Sequence, residues 1–359
     1  MEMLKFVQKV RQSFVTGTVM TPAGAVQRVA TTWTRQDRWS MIRSRISAFR
    51  MSYTVEPGLY AVGTPTKDSD VLVTANYKLT FDILRRSSAG IDAWILVLDT
   101  KSINVWCAAG KGTFGTDELV HRIGVAKLDA VVEHKRLILP QLGAVGVSAS
   151  AVQKRTGFRV LFGPVDAKDI PAYLAAGRNK TKEMSIMRFN MLDRLILTPM
   201  EINPAMKKYP WLALGLLFLF GLQPSGVLFA SAWHTGLTFL LFGLLAVLSG
   251  AFVTPVLLPY VPFRSFAIKG WIVGMAAVVG AVMVFDPVPL RNVLLLAAAY
   301  AFFPTLSSYI ALQFTGSTTF TGMSGVKKEL KIGIPLYIAA AAASLVLVVV
   351  YKLKEWEVL

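Results

Sequence analysis

From Trp211 onward the chain is dominated by apolar stretches long enough to cross a bilayer, and this limits its fold more than any other feature. A helix traverses the hydrocarbon layer with about 20 apolar residues. Stretches 211–229, 237–258, 266–285, 288–312 and 334–351 reach that length or come close. They predict an all-α membrane domain of five transmembrane helices over 209–359. The average composition agrees: 54% of the 359 residues are hydrophobic and 16% charged, too apolar for an ordinary soluble protein.

Positive charge orients these spans. Lys207 and Lys208 precede the first, Arg264 lies between the second and third, and Lys327, Lys328 and Lys331 lie between the fourth and fifth. The loop Gln223–His234 has no Lys or Arg. This pattern predicts a multi-pass protein of the cytoplasmic membrane with its soluble part in the cytoplasm and its C-terminus outside. Lys352 and Lys354 oppose it mildly. Lys269, inside the third span, is expected to snorkel to the cytoplasmic interface, and His234 to be interfacial.

The net charge of +17 raises a nucleic-acid reading. No zinc-finger spacing, helix-turn-helix pattern or aromatic-interleaved basic repeat supports one. Residues 1–55 carry Lys5, Lys9, Arg11, Arg28, Arg35, Arg38, Arg43, Arg45 and Arg50 against Glu2 and Asp37. They read as a basic, solvated, partly helical arm, or more sharply as a lipid- or partner-binding arm. No cleavable signal peptide is expected, because Lys9, Arg11 and Gln12 interrupt the first apolar run.

Residues 56–180 read as one α/β domain. Val71–Val73, Ala93–Leu98, Leu137–Leu139 and Phe158–Phe162 are strand candidates. Helical stretches from Tyr77, Thr116, Ser148 and Asp169 intervene. Such alternation predicts a mostly parallel, Rossmann-like sheet with helices on both faces, and ligands of such sheets bind at the carboxyl ends of the strands. Residues 181–208 read as an amphipathic linker, with Met184, Met187, Met191 and Leu195 on one helical face.

The single cysteine, Cys107, stands just past such a strand end, in Asn104-Val105-Trp106-Cys107-Ala108-Ala109-Gly110-Lys111. A lone cysteine forms no internal disulfide; it is an apolar filler or one reactive or ligating thiolate. Asn104 is a good N-cap, which places Cys107 in the first turn of a short helix where thiolate is favoured. Lys111 adds charge one turn on. Small Ala108, Ala109, Gly110 and Gly112 would admit a wide flat ligand, and Thr113 follows them as a further expected cofactor contact. Gly110–Gly115 also fits G-x-G-x-x-G, but Leu98 ends the strand a dozen residues too early for a dinucleotide loop. Leu119 replaces the Asp of a D-x-H-x-x-G cobalamin signature, so His121 reads as a helix-surface residue.

Asn104 to Phe114 resembles the cap-helix string of the corrinoid proteins of microbial mercury methylation, relatives of the corrinoid iron–sulfur protein of the acetyl-CoA pathway. The likeness continues through Arg136–Gly146, Gly157–Pro164 and Val71–Asn76, and into Thr315–Val326 between the last two spans. It implies a corrinoid-binding α/β domain followed by five membrane helices. It also implies a base-off cobalamin whose cobalt takes Cys107 thiolate as lower axial ligand, and methyl transfer to Hg(II). Thiolate is a soft, strong donor, and donation trans to a Co–CH₃ bond favours delivery of the methyl group to an electrophile. Thr74, Asn76, Gly143 and Gly146 are strand-end positions expected to hold the corrinoid, with Val105, Trp106 and Ala108 around the ligand. Implied partners are a ferredoxin-like [4Fe–4S] protein as electron donor and Hg(II) carrier, and a folate-dependent methyltransferase as methyl donor. Two alternatives stand beside this reading: a membrane-anchored corrinoid methyl carrier of acetyl-CoA metabolism, and a nucleotide-binding membrane protein using Gly110–Gly115.

Overall fold

The computed structural model of the chain describes residues 14–358 apart from 228, 319 and 322. Lys5, Lys9 and Arg11 of the expected arm, and Thr319 and Gly322 of the 315–326 string, therefore lie outside the described residues. The chain divides into two compact units, one ending at Arg188 and the other beginning at Phe189.

The first unit is built on a seven-stranded mixed sheet. Its strands are β1 (Val15–Thr21), β2 (Gly24–Val29), β3 (Gly58–Val62), β4 (Val71–Ala75), β5 (Ala93–Leu98), β6 (Arg136–Leu139) and β7 (Arg159–Phe162). The order across the sheet is β1-β2-β3-β5-β4-β6-β7. β5, β4, β6 and β7 are mutually parallel, as the alternation predicts. β3 runs antiparallel to β5, and β1 and β2 form an antiparallel hairpin, so the sheet is mixed.

This corrects the solvated-arm reading of residues 1–55 over its described part, since β1 and β2 extend the sheet. Their strand signal is weak because Gly17, Gly24 and Ala25 dilute the strand-favouring Val and Thr in two short runs. At the hairpin turn Gly24 takes a φ of +116°, which L side chains rarely adopt.

β4 and β5 are buried along their whole length, with their side chains alternating between two cores. Val71, Val73, Trp94, Leu96 and Leu98 face one core, with Ala108, Phe114, Leu119 and Val152. Leu72, Ile95 and Val97 face the other, with Phe81, Leu84 and Tyr173. Accordingly α3 (Val105–Lys111), α4 (Thr116–Val125) and α5 (Ala149–Thr156) cover one face, and α2 (Lys78–Ser87) and α6 (Ile170–Ala175) the other.

The preceding helix α1 (Arg35–Ile46) is joined to α2 by buried charge. Lys78 Nζ lies 2.8 Å from Asp82 and 3.6 Å from Asp37. Arg85 lies 2.7 Å from Asp82 and 3.0 Å from Asp37. Lys78 and Arg85 are both 0% exposed, so two cations and two carboxylates balance inside the fold. Tyr53 donates its hydroxyl to Asp82 at 2.8 Å.

The second unit is helical: α7 (Met191–Leu197), α8 (Pro199–Gly221), α9 (Phe229–Leu248), α10 (Phe266–Phe285), α11 (Val293–Gln313) and α12 (Met323–Glu355). The amphipathic linker expected over 181–208 is broken. Phe189 takes a φ of +46°, and an Asn190–Asp193 capping box starts α7 afresh.

Among the described residues four helices are long and apolar enough to cross a membrane: Ala232–Val256, Phe266–Phe285, Val293–Gly316 and Ser324–Glu355. The fifth expected span, 211–229, is interrupted. α8 stops at Gly221, and a short hairpin pairs Leu222–Gln223 with Gly226–Val227. The apolar run there is continuous in sequence but not in backbone.

Close helix packing in this unit depends on glycine. A Cβ on Gly250 would stand 2.5 Å from the Ser307 carbonyl oxygen, and one on Gly270 2.5 Å from Ala311 Cβ. Lys269 does not snorkel to open solvent: it is 8% exposed, and its Nζ donates to the Leu258 carbonyl. Arg194 likewise donates to Val256 O at 3.0 Å and to Phe189 O at 2.7 Å. Both cations are held by carbonyls near the end of a helix that a π-turn at Ser249–Val253 and Pro255 disrupt.

Candidate functional site

The segment between β5 and α4 forms a short cap helix at the carboxyl end of the sheet. Asn104 starts it: its Oδ1 accepts the Cys107 N–H at 2.9 Å. Gly112, at φ +82°, ends it in the left-handed conformation that glycine tolerates. The first boundary agrees with the capping signal of Asn104 in the sequence. Val105, Ala108 and Ala109 face the core at 6%, 0% and 5% exposure. Trp106 and Cys107 are half-buried, and Gly110 and Lys111 are exposed.

Cys107 and Gly110 are three residues apart and so share the outward side of the helix. A Cβ on Gly110 would meet nothing within 4 Å. Beside the thiol, therefore, the helix surface is low and open. Ala108 and Ala109 do not contribute to that opening, contrary to the expectation from their size. They make the helix lie close to the sheet.

The loop leading into α3 is clamped by Asn76. Its Oδ1 accepts from the Thr100 N–H at 3.1 Å, the Thr100 hydroxyl at 2.9 Å and the Ser102 N–H at 3.1 Å. Its Nδ2 donates to Asp99 Oδ1 at 3.3 Å. Lys101 and Ser102 sit at φ +56° and +64°, an unfavourable backbone for non-glycine residues that these bonds hold in place. Asn76 thus supports the site through the backbone with its side-chain polar atoms already engaged. Glu118 Oε1 accepts the Asp99 N–H at 2.8 Å and also pairs with Arg122. Burial alone would raise the Asp99 carboxyl, but hydrogen bonds and charge from Lys101 hold it below the usual carboxylate range.

The remaining expected residues divide. Thr74 is 2% exposed in β4, two residues after Leu72, and so faces the core opposite α3. It does not join the site. Gly143 and Gly146 reach it from below through Phe114. A Cβ on Gly143 would stand 2.6 Å from Phe114 Cε1, and one on Gly146 2.2 Å from Phe114 O and 3.0 Å from Ala109 Cα. They are close-packing positions under the cap helix. Thr113 Oγ1 lies 3.5 Å from the carbonyls of Thr100 and Ala108. His121 is exposed, as expected.

Gly110 lies within α3, Gly112 ends it, and Gly115 caps α4. The glycine string joins helix to helix, not strand to helix, so it lacks the context of a dinucleotide loop. Among the described residues no group of three or more His, Cys, Asp or Glu is placed to hold a metal ion. Sequence reading missed Asp99, Thr100, Glu118 and Phe114. The Asp-Thr pair directly after β5 was the available signal.

Asn104→Ala removes the side-chain acceptor from the Cys107 N–H. A lost N-cap costs about 1 kcal/mol. On a seven-residue helix this should appear as faster alkylation and faster amide exchange at Cys107, with the rest of the sheet unchanged.

Residues 47–174 match the family described as CO dehydrogenase/acetyl-CoA synthase delta subunit. The acetyl-CoA decarbonylase/synthase complex subunit gamma of Methanopyrus kandleri is 35% identical over 122 residues, 33% of this chain and 26% of that protein. The subunit gamma of Archaeoglobus fulgidus is 34% identical over 127 residues, 35% of this chain and 27% of that protein. That of Methanosarcina acetivorans is 34% identical over 129 residues, with the same coverage of 35% and 27%. The chain thus spans about a quarter of the length of these curated relatives. The family match falls within the α/β unit and begins at residue 47, ahead of β3.

Proposed function

We propose that the α/β unit is a corrinoid-binding methyl-transfer domain in which Cys107 thiolate is the lower axial ligand of cobalt, with the nucleotide base displaced. The observation that carries this reading is the outward placement of Cys107 beside Gly110 on a capped helix at the strand ends. The likeness to subunits of an acetyl-CoA decarbonylase/synthase complex supports the same cofactor class. The residues present fit such a group. A soft thiol is half-exposed, a flat open patch adjoins it, and the supporting loop has its polar atoms satisfied within the protein.

A corrinoid supplies a transferable methyl group on cobalt. The chain's own residues prepare the position for it. Asn104 holds the Cys107 backbone, and Asn76 holds the entry loop. Gly143, Gly146 and Phe114 fix the height of the cap helix, while Gly110 leaves the thiol side open. Held by Cys107, the corrinoid would carry a more electron-rich methyl group, because thiolate is a strong donor, so the acceptor best suited to Cys107 would be an electrophile.

We assign Hg(II) as that acceptor and methylmercury as the product, on the Cys107 string. The relatives favour a second reading more directly, in which the domain carries methyl groups within acetyl-CoA metabolism. Purified full-length chain, loaded with methylcobalamin and given Hg(II), decides between them. Methylmercury that requires the chain supports the first. Methyl transfer to an acetyl-CoA synthase with no methylmercury supports the second.

One cysteine cannot hold an iron–sulfur cluster, which takes about four thiolates. The proposed electron donor is therefore a ferredoxin-like [4Fe–4S] partner, which could also carry Hg(II); a folate-dependent methyltransferase as methyl donor is proposed on the resemblance alone.

The second unit is proposed to anchor the chain in the cytoplasmic membrane, with the corrinoid domain inside. Trp211, Leu214 and Phe218 of α8 are 76%, 60% and 59% exposed, an apolar stripe suited to lipid. If α8 crosses with the four longer helices, the C-terminus is outside. A reporter active only in the cytoplasm should then work when fused after Lys328 and fail after the last residue. Failure after Lys328 with activity after the last residue would show four crossings, without α8.

A further inference from the structure

Helix α1 is amphipathic the wrong way round for an ordinary surface helix. Its buried positions are polar: Asp37, Ser40 and Ser44 are 3%, 0% and 1% exposed. Asp37 is consumed by Lys78, Arg85 and the Thr34 cap. Its outward positions include Trp39 at 60% and Ile42 at 43% exposure, beside exposed Arg35 and Arg38. Residues 35, 38, 39 and 42 fall on one helical face. Over 14–55 the chain has six arginines and one acid, and that acid, Asp37, is the buried one. The outward face therefore presents tryptophan, isoleucine and arginine with no carboxylate from its own segment.

We infer that this face of α1 docks on an anionic bilayer surface. Trp seats at the headgroup level, an aliphatic side chain enters the acyl boundary, and arginines draw anionic headgroups. The bilayer is within reach because the same chain carries four candidate membrane spans. A second copy is a poorer occupant. In a twofold contact Arg35 and Arg38 would face their own duplicates with no acid from α1 between them. The inference is independent of the corrinoid reading.

The test uses the full chain in nanodiscs. Ile42→Cys is made with Cys107→Ser and labelled with an environment-sensitive fluorophore. Gln153→Cys, exposed on α5 across the sheet, is the control. Bilayers of phosphatidylcholine alone are compared with bilayers containing phosphatidylglycerol, each with brominated lipid as quencher.

The label at 42 should be quenched in phosphatidylglycerol discs and the label at 153 should not. R35E with R38E, or high salt, should bring 42 down to the level of 153. Each arginine removed should weaken partitioning roughly fivefold. In the unsubstituted chain, trypsin cleavage after Arg35 and Arg38 should be slower in anionic than in zwitterionic discs. Equal quenching at 42 and 153, quenching at 42 that ignores lipid charge, or equal cleavage rates would overturn the inference. A lipid-free signal at 42 that grows with protein concentration would assign the face to a second copy instead. Protection only on adding an acidic protein would assign it to that class of partner.

Discussion

Cys107→Ala is expected to abolish methyl transfer to Hg(II) while leaving the domain folded and some corrinoid bound. The side chain is small, half-buried and outward, so its loss leaves no core cavity. Groups that merely orient a metal's ligands typically cost 10–100-fold when lost. If Cys107 is the ligand itself, its removal should cost more than about a hundredfold in methylmercury formation. On the same proposal the visible spectrum of the bound corrinoid should shift at the same time. Cys107→His separates donor strength from occupancy: imidazole donates less than thiolate, so binding is expected to outlast transfer. Wild-type rates with an unshifted spectrum in Cys107→Ala would remove the axial-thiolate account.

The largest stability effect is expected at Asp82. This carboxylate accepts from Lys78 Nζ at 2.8 Å, Arg85 Nε at 2.7 Å and the Tyr53 hydroxyl at 2.8 Å, all within the buried link between α1 and α2. Asp82→Ala leaves two fully buried cations sharing Asp37. Breaking a buried pair by removing one partner costs about 3–5 kcal/mol. Thermal unfolding of the first unit, followed in detergent by protease susceptibility of β1 to α2, should fall accordingly. Replacing the whole set with apolar residues of similar volume should be far milder, since no buried charge is then orphaned.

The same cluster sets an acid limit. Burial alone would raise the Asp37 carboxyl, but the Thr34 N–H, Arg85 and Lys78 outweigh it and hold it below its ordinary value. A depressed carboxylate contributes stability above its unfolded value and loses it as pH falls through the folded one. Unfolding should therefore become easier below the ordinary carboxylate range and be unaffected by this group near neutrality.

Local signals carried much of the reading. Asn104 starts the cap helix where capping chemistry puts it, and Gly157 ends α5 at a φ of +76°, as a glycine after a helical run can. The glycine end of the cap helix, Gly112, emerges only in the structure. The unbroken apolar run Ala93–Leu98 is a strand covered on both faces. Where a signal depended on distant partners, it misled. The arginine-rich arm reads as solvated because arginines dominate its charged residues. Yet Asp37 meets Lys78 and Arg85 some 40 residues away in sequence, and β2 pairs with β3. The run 211–229 reads as one span because hydropathy does not register the backbone break at Leu222–Val227.

By itself, then, the sequence determined the two-part layout, the parallel strands from Val71 onward, and the cap helix with the place of its one thiol. These follow from run length, alternation and capping, which act over a few residues. Tertiary structure decided which sides those elements turn. It put Ala108 and Ala109 in the core and left Cys107 and Gly110 outward. It made Asn76 a clamp, placed Gly146 under Ala109, and turned α1 with its charged side in and Trp39 out. A helix face is chosen by what packs against it, and those partners come from strands and loops far along the chain.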